Sequence, residues 1–298
     1  NNNIFNNTAA SSTVALYGYY NFAIGFNENV YNNLVNNLTG GTGEVVGIYA
    51  RSGSSPTDKQ VYGNTVHTLA GAGQVGGIWM EYAGNNLAYR NRVYNLSSTT
   101  TSLTPGVYGF QYGTNQGLNV AINNNFISDL RSPNNTSVGA IYGIWIAGAS
   151  VTSAKIYYNT VYLNAATTSA TSFGTAAMLM QSTPFTVDVR NNIFVNVSAP
   201  GPTSGRTTAL QRNTTLLTNY NLLSGNNCLY AGTPGAQNVI YFDGTNADQT
   251  IQAFKDRVTP REQASFTELP PFVNIAATPY DLHMQTGIAT QTEKGGQP

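Results

Sequence analysis

Side chains that could do acid–base or nucleophilic chemistry are scarce in this sequence. The 298 residues include 13 basic and 13 acidic side chains and two histidines, His67 and His283, which lie far apart in the chain. No segment matches a serine-hydrolase, zinc-protease, phosphate-loop or dinucleotide-binding motif. His67 is interpreted as an ordinary strand residue, with a general base as the alternative. We assign no catalytic residue.

Aromatic residues offer the more informative chemistry. A short segment, in which a small residue is followed by an apolar one, recurs along the chain. The residues that directly follow its apolar member form one column, which contains both tryptophans: Tyr17, Tyr49, Trp79, Gln111, Trp145, Leu179 and Gln211. Strand alternation places this column outside. Rings in a row present an apolar face to sugar C–H groups, and Arg51 and Glu81, two residues further along, could add hydrogen bonds. We therefore expect a glycan-binding platform, unless loops cover the face and these residues serve packing.

Two alternating motifs position this column. One is an Asn followed two residues later by an apolar residue, with anchors at Asn2, Asn32, Asn64, Asn91, Asn124, Asn159, Asn191 and Asn221. The other is a small residue followed by an apolar one, whose apolar members are Leu16, Ile48, Ile78, Phe110, Ile144, Met178 and Leu210. Both recur roughly every 30 residues, a period typical of stacked supersecondary units.

The repeats predict short strands that stack in parallel, each on its equivalent one coil along. The segments are rich in β-branched and aromatic residues and are separated by Gly, Ser, Thr, Asn and Pro clusters. No helical periodicity occurs before residue 245, which excludes helical solenoids. About eight coils, each rising about 4.8 Å, would place the column from Leu16 to Leu210 in the core.

The anchor asparagines have two interpretations. They could form a buried ladder in which each amide bonds to turn backbone and to the Asn above and below, because a buried amide needs partners. Alternatively, they could lie in left-handed turns at the surface. The constant position of the anchors relative to the apolar column favours the ladder.

The pattern N-x-[VILF]-x-x-N, seen in "NNLVNN", "NRVYN", "NTVYLN" and "NNIFVN", resembles the repeats of pectin-lyase-like proteins. The chain is also similar to long, Asn/Gly/Thr-rich secreted or surface proteins of Bacteroidetes-type bacteria. The segment Pro270–Gly287 resembles the one that closes such helices. The resemblance implies a right-handed parallel β-helix, a fold that carries lyases, hydrolases, adhesins and spacers alike.

A polysaccharide lyase is one alternative that the resemblance implies. Lyases of this fold commonly place acidic Ca²⁺ ligands near a basic proton acceptor. A polar strip on neighbouring coils could accept a uronate, and its members are Arg90, Arg92, Asn123, Tyr158, Asp188 and Arg190. Only Asp188 offers a carboxylate there, whereas Ca²⁺ prefers several oxygen ligands. We therefore expect Ca²⁺ only under this alternative and assign no metal site or other cofactor.

A glycoside hydrolase is the second enzymatic alternative, and it needs two carboxyl groups about 5–9 Å apart. The acidic residues Glu28, Glu44 and Asp129 occupy different parts of their repeats and form no column. Glu81 lies beside Arg51 of the preceding coil, so a cross-coil ion pair is the simpler interpretation.

The composition of the chain limits the classes of partner and site that we expect. Charged residues make up 9% of the chain and balance to zero net charge, which argues against nucleic acid. No apolar run approaches the length of a membrane span. The single Cys228 forbids an internal disulfide and a Cys-based zinc site. Because the chain begins inside a repeat without a signal peptide, we expect a piece of a longer secreted or cell-surface protein.

We assign residues 1–232 to β-helix coils and 233–298 to a final coil with a C-terminal cap and tail. One helix is predicted at 246–258, capped by Asp248 or Thr250, with Ile251, Phe254 and Val258 on one face. The predicted function is a non-catalytic extracellular module that binds a polysaccharide or surface glycan, or acts as an adhesin or spacer. A lyase or glycoside hydrolase is the alternative.

Overall fold

Strands that return to the same three positions in every turn form the body of the protein. The computed structural model describes residues 3–22, 27–51, 58–82, 84–113, 117–148, 151–168, 171–181, 186–293 and 296. Strands make up half of the chain and stack as a parallel β-solenoid of about seven turns, and the described residues contain one α-helix. The predicted all-β solenoid is therefore confirmed.

Three parallel sheets surround one apolar core. Sheet A contains the strands Asn3–Ala9, Leu34–Gly40, Thr65–Gly71, Arg92–Ser98, Phe126–Arg131, Thr160–Leu163, Ile193–Asn196 and Cys228–Tyr230. Sheet B contains Leu16–Asn21, Val45–Arg51, Val75–Glu81, Val107–Tyr112, Ile141–Ile146, Thr175–Met180, Thr207–Arg212 and Asn238–Phe242, and ends in the antiparallel strand Ala247–Asp248. Sheet C contains Glu28–Tyr31, Lys59–Tyr62, Asn85–Tyr89, Gly117–Asn123, Val151–Tyr157 and Thr186–Arg190.

The apolar column predicted for sheet B lies in the core in six of its seven members. Ile48, Ile78, Phe110, Ile144, Met178 and Leu210 stack in register, and none is more than 2% exposed. In the first coil only the predicted register was wrong, because Tyr19 and not Leu16 pairs with Ile48, whereas Leu16 pairs with Val45 and is partly buried against the core. The small residue of that coil is Gly18, where a Cβ would lie only 2.5 Å from Val35 Cγ1 of sheet A.

A buried asparagine ladder runs along the edge of sheet A, as predicted. Its described members are Asn33, Asn64, Asn91, Asn125, Asn159, Asn192 and Asn227. Each side-chain amide before Asn227 donates to Oδ1 of the next ladder Asn at 2.9–3.0 Å, and the same Oδ1 accepts a backbone N–H from the preceding coil. The ladder thus satisfies its own buried polar groups.

Four of the asparagines predicted as ladder members are not part of the ladder, and a fifth predicted member, Asn2, lies outside the described residues. Asn32, Asn124 and Asn191 each precede the ladder member by one residue, and their φ angles of 52°, 59° and 57° are left-handed. The fourth, Asn221, lies in a turn before Asn227, and Leu223 is 63% exposed. Both interpretations of the anchor are therefore realised, on adjacent residues. A one-residue error moves a side chain to the other face of the sheet.

The C-terminal segment closes the last turn. The helix Ile251–Val258 begins at Thr250, whose side chain accepts from the Ala253 N–H at 3.2 Å, and it buries Phe254 and Val258. The helix predicted at 246–258 is confirmed only from Ile251 onward, with Thr250 as its cap. Ala247–Asp248 forms a short strand instead, and Asp248 pairs with Arg257.

Beyond the helix, the chain ends the ladder and then covers sheet A. Glu262 accepts from the Asn227 amide at 3.0 Å, and Ser265 Oγ accepts from the Asn227 N–H at 2.9 Å. A hairpin of Phe272–Asn274 and Asp281–Met284 then packs on the outer face of sheet A, and a short 3₁₀ turn, Gln291–Glu293, follows.

Candidate functional site

The aromatic column predicted on sheet B exists from its second member onward. Tyr49, Trp79, Gln111, Trp145, Leu179 and Gln211 lie side by side in register. Tyr17 does not belong to it, since Tyr20 pairs with Tyr49 and Tyr17 pairs with Val46. The error has the same cause as that at Leu16, because the repeat of the first coil is centred on Gly18.

This column points outward from the strands but is largely covered. Tyr49 is 4% exposed and stacks on Trp79 with ring centroids 4.0 Å apart and planes 8° apart. Gln111 is 5% exposed. Tyr108 is fully buried and lies over Gly76, where a Cβ would come 2.1 Å from its ring. The rings therefore form an outer packing layer and leave little free π-face for a sugar.

The polar residues predicted beside the column bind one another. Glu81 Oε1 accepts the Tyr49 hydroxyl at 2.6 Å and pairs with Arg51 Nε at 2.5 Å. Burial, followed by the Glu81 hydrogen bond, raises the pKa of Tyr49 above its ordinary value. The Arg51 guanidinium also lies over the rings of Phe22 and Tyr82, at 4.3 and 5.3 Å from their centroids. The cross-coil ion pair anticipated from the sequence is therefore present.

Sheet C carries an exposed aromatic column that the sequence analysis missed. Tyr31, Tyr62 and Tyr89, the tyrosine column, stack with centroids 5.0 and 4.8 Å apart and with planes within 5°. Tyr31 is 44% exposed, and the other two are half-buried. Each tyrosine directly precedes a residue with positive φ, namely Asn32, Gly63 or Arg90. Counting back one residue from these turns would have revealed the column.

The column of rings is interrupted once, and a single further ring follows. Asn123 pairs with Tyr89 on one side and with Tyr157 on the other, so one ring is missing from the series. A depression of about 400 Å³ opens at this point. We call it the sheet C groove, and it is lined by Leu87, Tyr89, Arg90, Asn123, Asn124, Tyr157 and Tyr158.

The far wall of the groove is held rigidly by the next coil. The Tyr157 hydroxyl donates to Asp188 Oδ2 at 2.7 Å, and Arg190 lies 5.6 Å from the Tyr157 ring centroid. Arg190 in turn pairs with Asp188 at 2.5 Å. Burial, followed by the hydrogen bond to Asp188, raises the pKa of Tyr157, so this phenol stays protonated at neutral pH.

The polar strip predicted from the sequence divides into three parts. Arg90, Asn123 and Tyr158 line the sheet C groove. Asp188 and Arg190 lie behind its Tyr157 wall. The remaining member, Arg92, lies on sheet A and not on sheet C. Its guanidinium donates to the Tyr280 carbonyl at 2.8 Å.

His67 also lies on sheet A. It stacks on Tyr94 with centroids 4.7 Å apart, and its Nδ1 lies 2.8 Å from Thr68 Oγ1. Burial, followed by the positive charge of Arg92, lowers the pKa of His67. These contacts agree with the interpretation of His67 as an ordinary strand residue.

A second polar group lies inside the solenoid behind sheet C. Glu28, Lys59 and Asn86 pair across three strands and are at most 9% exposed. Lys59 Nζ donates to the carbonyl oxygens of Glu81 and Tyr82. Burial lowers the pKa of Lys59 to about 8, although the charges of Glu28 and Glu81 raise it in part. This row is enclosed and separate from the groove.

Within the described parts of the chain, no group of three or more His, Cys, Asp and Glu side chains could hold a metal ion. None of the described helices is long and apolar enough to cross a membrane. No family model, no curated protein and no solved structure matches this chain. The site is therefore interpreted from its geometry alone.

Proposed function

We propose that this chain is a non-catalytic β-helix module of an extracellular or cell-surface protein and that it binds a polysaccharide or surface glycan. One observation carries the proposal: the tyrosine column and the sheet C groove form an aromatic, amide-lined surface beside an exposed arginine. Protein surfaces that stack on sugar rings combine apolar rings with a few polar groups in this way.

The state of the acidic groups supports binding over catalysis. Asp188 is held by Tyr157 and Arg190, and Glu81 is held by Tyr49 and Arg51. A carboxylate fixed by an ion pair and a phenol is a poor general base, because its lone pairs are already used. The raised pKa of Tyr157 also disfavours this phenol as a proton acceptor.

Affinity electrophoresis in gels containing neutral or acidic polysaccharides tests the proposal. We expect at least one polysaccharide to retard the parent protein, and we expect a Tyr62→Ser, Tyr89→Ser variant to lose that retardation. Trp145→Ala on sheet B is the control and should keep it. Loss in the control alone would move the site to sheet B, and an unretarded parent would refute glycan binding. Release of unsaturated product, detected by ultraviolet absorbance, would refute the non-catalytic role.

A further inference from the structure

The interrupted tyrosine stack has the dimensions of a slot for one ring. Adjacent rings in the tyrosine column are 4.8–5.0 Å apart. Tyr89 and Tyr157 lie two strands apart, so their backbones are about 10 Å apart along the solenoid. One ring inserted above Asn123 would continue the stack at its existing spacing. The groove volume of about 400 Å³ holds one sugar ring and leaves its ends open to solvent.

Both walls of the slot are supported before any ligand arrives. Tyr89 is backed by Tyr62 at 4.8 Å with nearly parallel planes. Tyr157 is held by Asp188 and covered on its far side by Arg190. Rigid walls reduce the entropy lost on binding.

The floor of the slot presents an unused acceptor. Asn123 Oδ1 is buried and has no hydrogen-bond partner among the described residues. An unpaired buried acceptor is destabilising because it has lost its hydrogen bonds to water. If the Asn123 amide turned towards the slot, this oxygen would accept a ring hydroxyl, whereas a purely apolar ring would leave it unpaired.

The mouth of the slot is cationic. Arg90 is exposed, and among the described residues it forms no ion pair. Lys155 is exposed on the same outer face, two residues before Tyr157, and is likewise unpaired within the described part of the chain. Asp188 lies beside Lys155 on the next strand, but its carboxylate is paired with Arg190. This charge favours a ligand that carries an anionic group.

We propose that the sheet C groove binds one uronate ring of an acidic polysaccharide, sandwiched between Tyr89 and Tyr157. Arg90 pairs with the carboxylate, and Asn123 Oδ1 accepts a ring hydroxyl. The C–H faces of the sugar contact both tyrosine rings. This inference rests on the proposed glycan-binding function and specifies its ligand class and subsite.

Filling the slot tests the inference. Asn123→Tyr supplies the missing ring and should complete the stack from Tyr89 to Tyr157. Binding to polygalacturonate, alginate and hyaluronate is measured by affinity electrophoresis and isothermal calorimetry. We expect the variant to stay folded and to lose at least about tenfold in affinity. Asn29→Tyr, at an exposed position of the same face, is the control and should bind like the parent.

A second variant tests the charge. Arg90 has a φ of 55°, so Arg90→Asn removes the cation while keeping a residue that tolerates this conformation. We expect weaker binding of polygalacturonate and a smaller salt dependence, with no change towards its neutral methyl ester. Equal effects on both polymers would overturn the pairing with Arg90.

The remaining outcomes separate the two proposals. Full binding by Asn123→Tyr, together with loss in the Tyr62→Ser, Tyr89→Ser variant, would refute the slot and leave glycan binding in place. A parent that binds neither acidic nor neutral polysaccharide would refute both. Binding of adenosine monophosphate that Asn123→Tyr abolishes, without polysaccharide binding, would assign the slot to planar aromatic anions and overturn the uronate.

Discussion

At the scale of single residues, neighbouring asparagines serve two different roles. Asn124 holds the left-handed turn with a φ of 59°, and Asn125 is a buried ladder member. Asn125 Oδ1 accepts the backbone N–H of Asn91 at 3.0 Å and its side-chain amide at 2.9 Å. The amide of Asn125 donates to Asn159 and to the Ala88 carbonyl. The first role needs a backbone conformation, and the second needs a side chain.

Substitutions of Asn125 and Asn124 should therefore reduce the free energy of unfolding by different amounts. We expect Asn125→Ala to reduce the free energy of unfolding by about 2–4 kcal/mol, because several buried polar groups lose partners at once. Asn124→Gly should change it by less than about 1 kcal/mol, since glycine adopts positive φ freely. Urea unfolding followed by circular dichroism measures both, and equal losses would contradict the assignment of roles.

Lys59 should make stability depend on pH in a specific direction. Its folded pKa of about 8 lies below the ordinary value of 10.5. Between these values the unfolded chain binds more protons than the folded one, so the contribution of Lys59 to stability rises with pH; below about pH 8 the full cost of the buried charge is present.

Comparing the parent with Lys59→Met isolates this contribution. We expect the parent to gain stability relative to the variant as pH rises from about 7.5 to 9.5, by up to about 1.4 kcal/mol per pH unit. Chemical unfolding at several pH values measures the difference. Parallel pH profiles for the two proteins would show that Lys59 titrates normally.

At the scale of elements, the C-terminal hairpin turns the outer face of sheet A into a second core. Phe272 is 3% exposed and meets the Tyr162 ring edge-on at 5.8 Å. Phe126 and Ile193 pack against the same cluster from the sheet. The outer face of sheet A is consequently apolar at Phe126 and Ile193, so a one-residue error in the frame still placed an apolar residue in the predicted column at these two coils.

A substitution at Phe272 should detach the C-terminal hairpin, whereas the same substitution at Val273 should not. Phe272→Asp places a charge in the apolar cluster, so we expect faster proteolysis of the tail and increased binding of a hydrophobic dye, with the strand signal in circular dichroism retained. Val273 is 49% exposed on the other side of the same strand, so Val273→Asp should behave like the parent. Equal proteolysis of the two variants would contradict this packing.

At the scale of the whole molecule, the coils are held close by a column of small residues in sheet B. A Cβ at Gly109 would lie 2.4 Å from Ile127 Cγ2 and 2.8 Å from the Gly143 carbonyl oxygen. These atoms belong to the facing sheet and to the next coil. Gly109 therefore permits sheet-to-sheet and coil-to-coil contact at one point.

Adding a methyl group at this contact should destabilise the stack. We expect Gly109→Ala to cost about 1–3 kcal/mol, because neither backbone nor core can move away without disturbing neighbouring coils. Gly225→Ala is the control, since its Cβ would meet no atom closer than 3.7 Å. Hydrogen exchange should show the loss spreading to adjacent coils in the first variant only. A loss confined to one strand would contradict stacking at this position.

Much of the fold was predictable because its signals are local and repeated. The column from Ile48 to Leu210 and the helix ended by Val258 follow from periodicity and capping. The candidate site was less predictable. Tyr158 and Asn123 were selected, but Tyr31, Tyr62 and Tyr89 were not, because the turns before each ladder Asn leave the frame ambiguous by one residue.

The stacking of equivalent positions follows from the amino-acid pattern alone, since each repeat is too short to bury its apolar side chains without a neighbour. Tertiary packing set which residue after each Asn–Asn pair faces the core, because at Phe126 and Ile193 the C-terminal hairpin supplies a second apolar environment. It also decided that the outward aromatic residues of sheet B are packed, whereas those of sheet C remain open around the gap at Asn123. Strand alternation specifies an inner and an outer face, but what covers the outer face depends on distant segments.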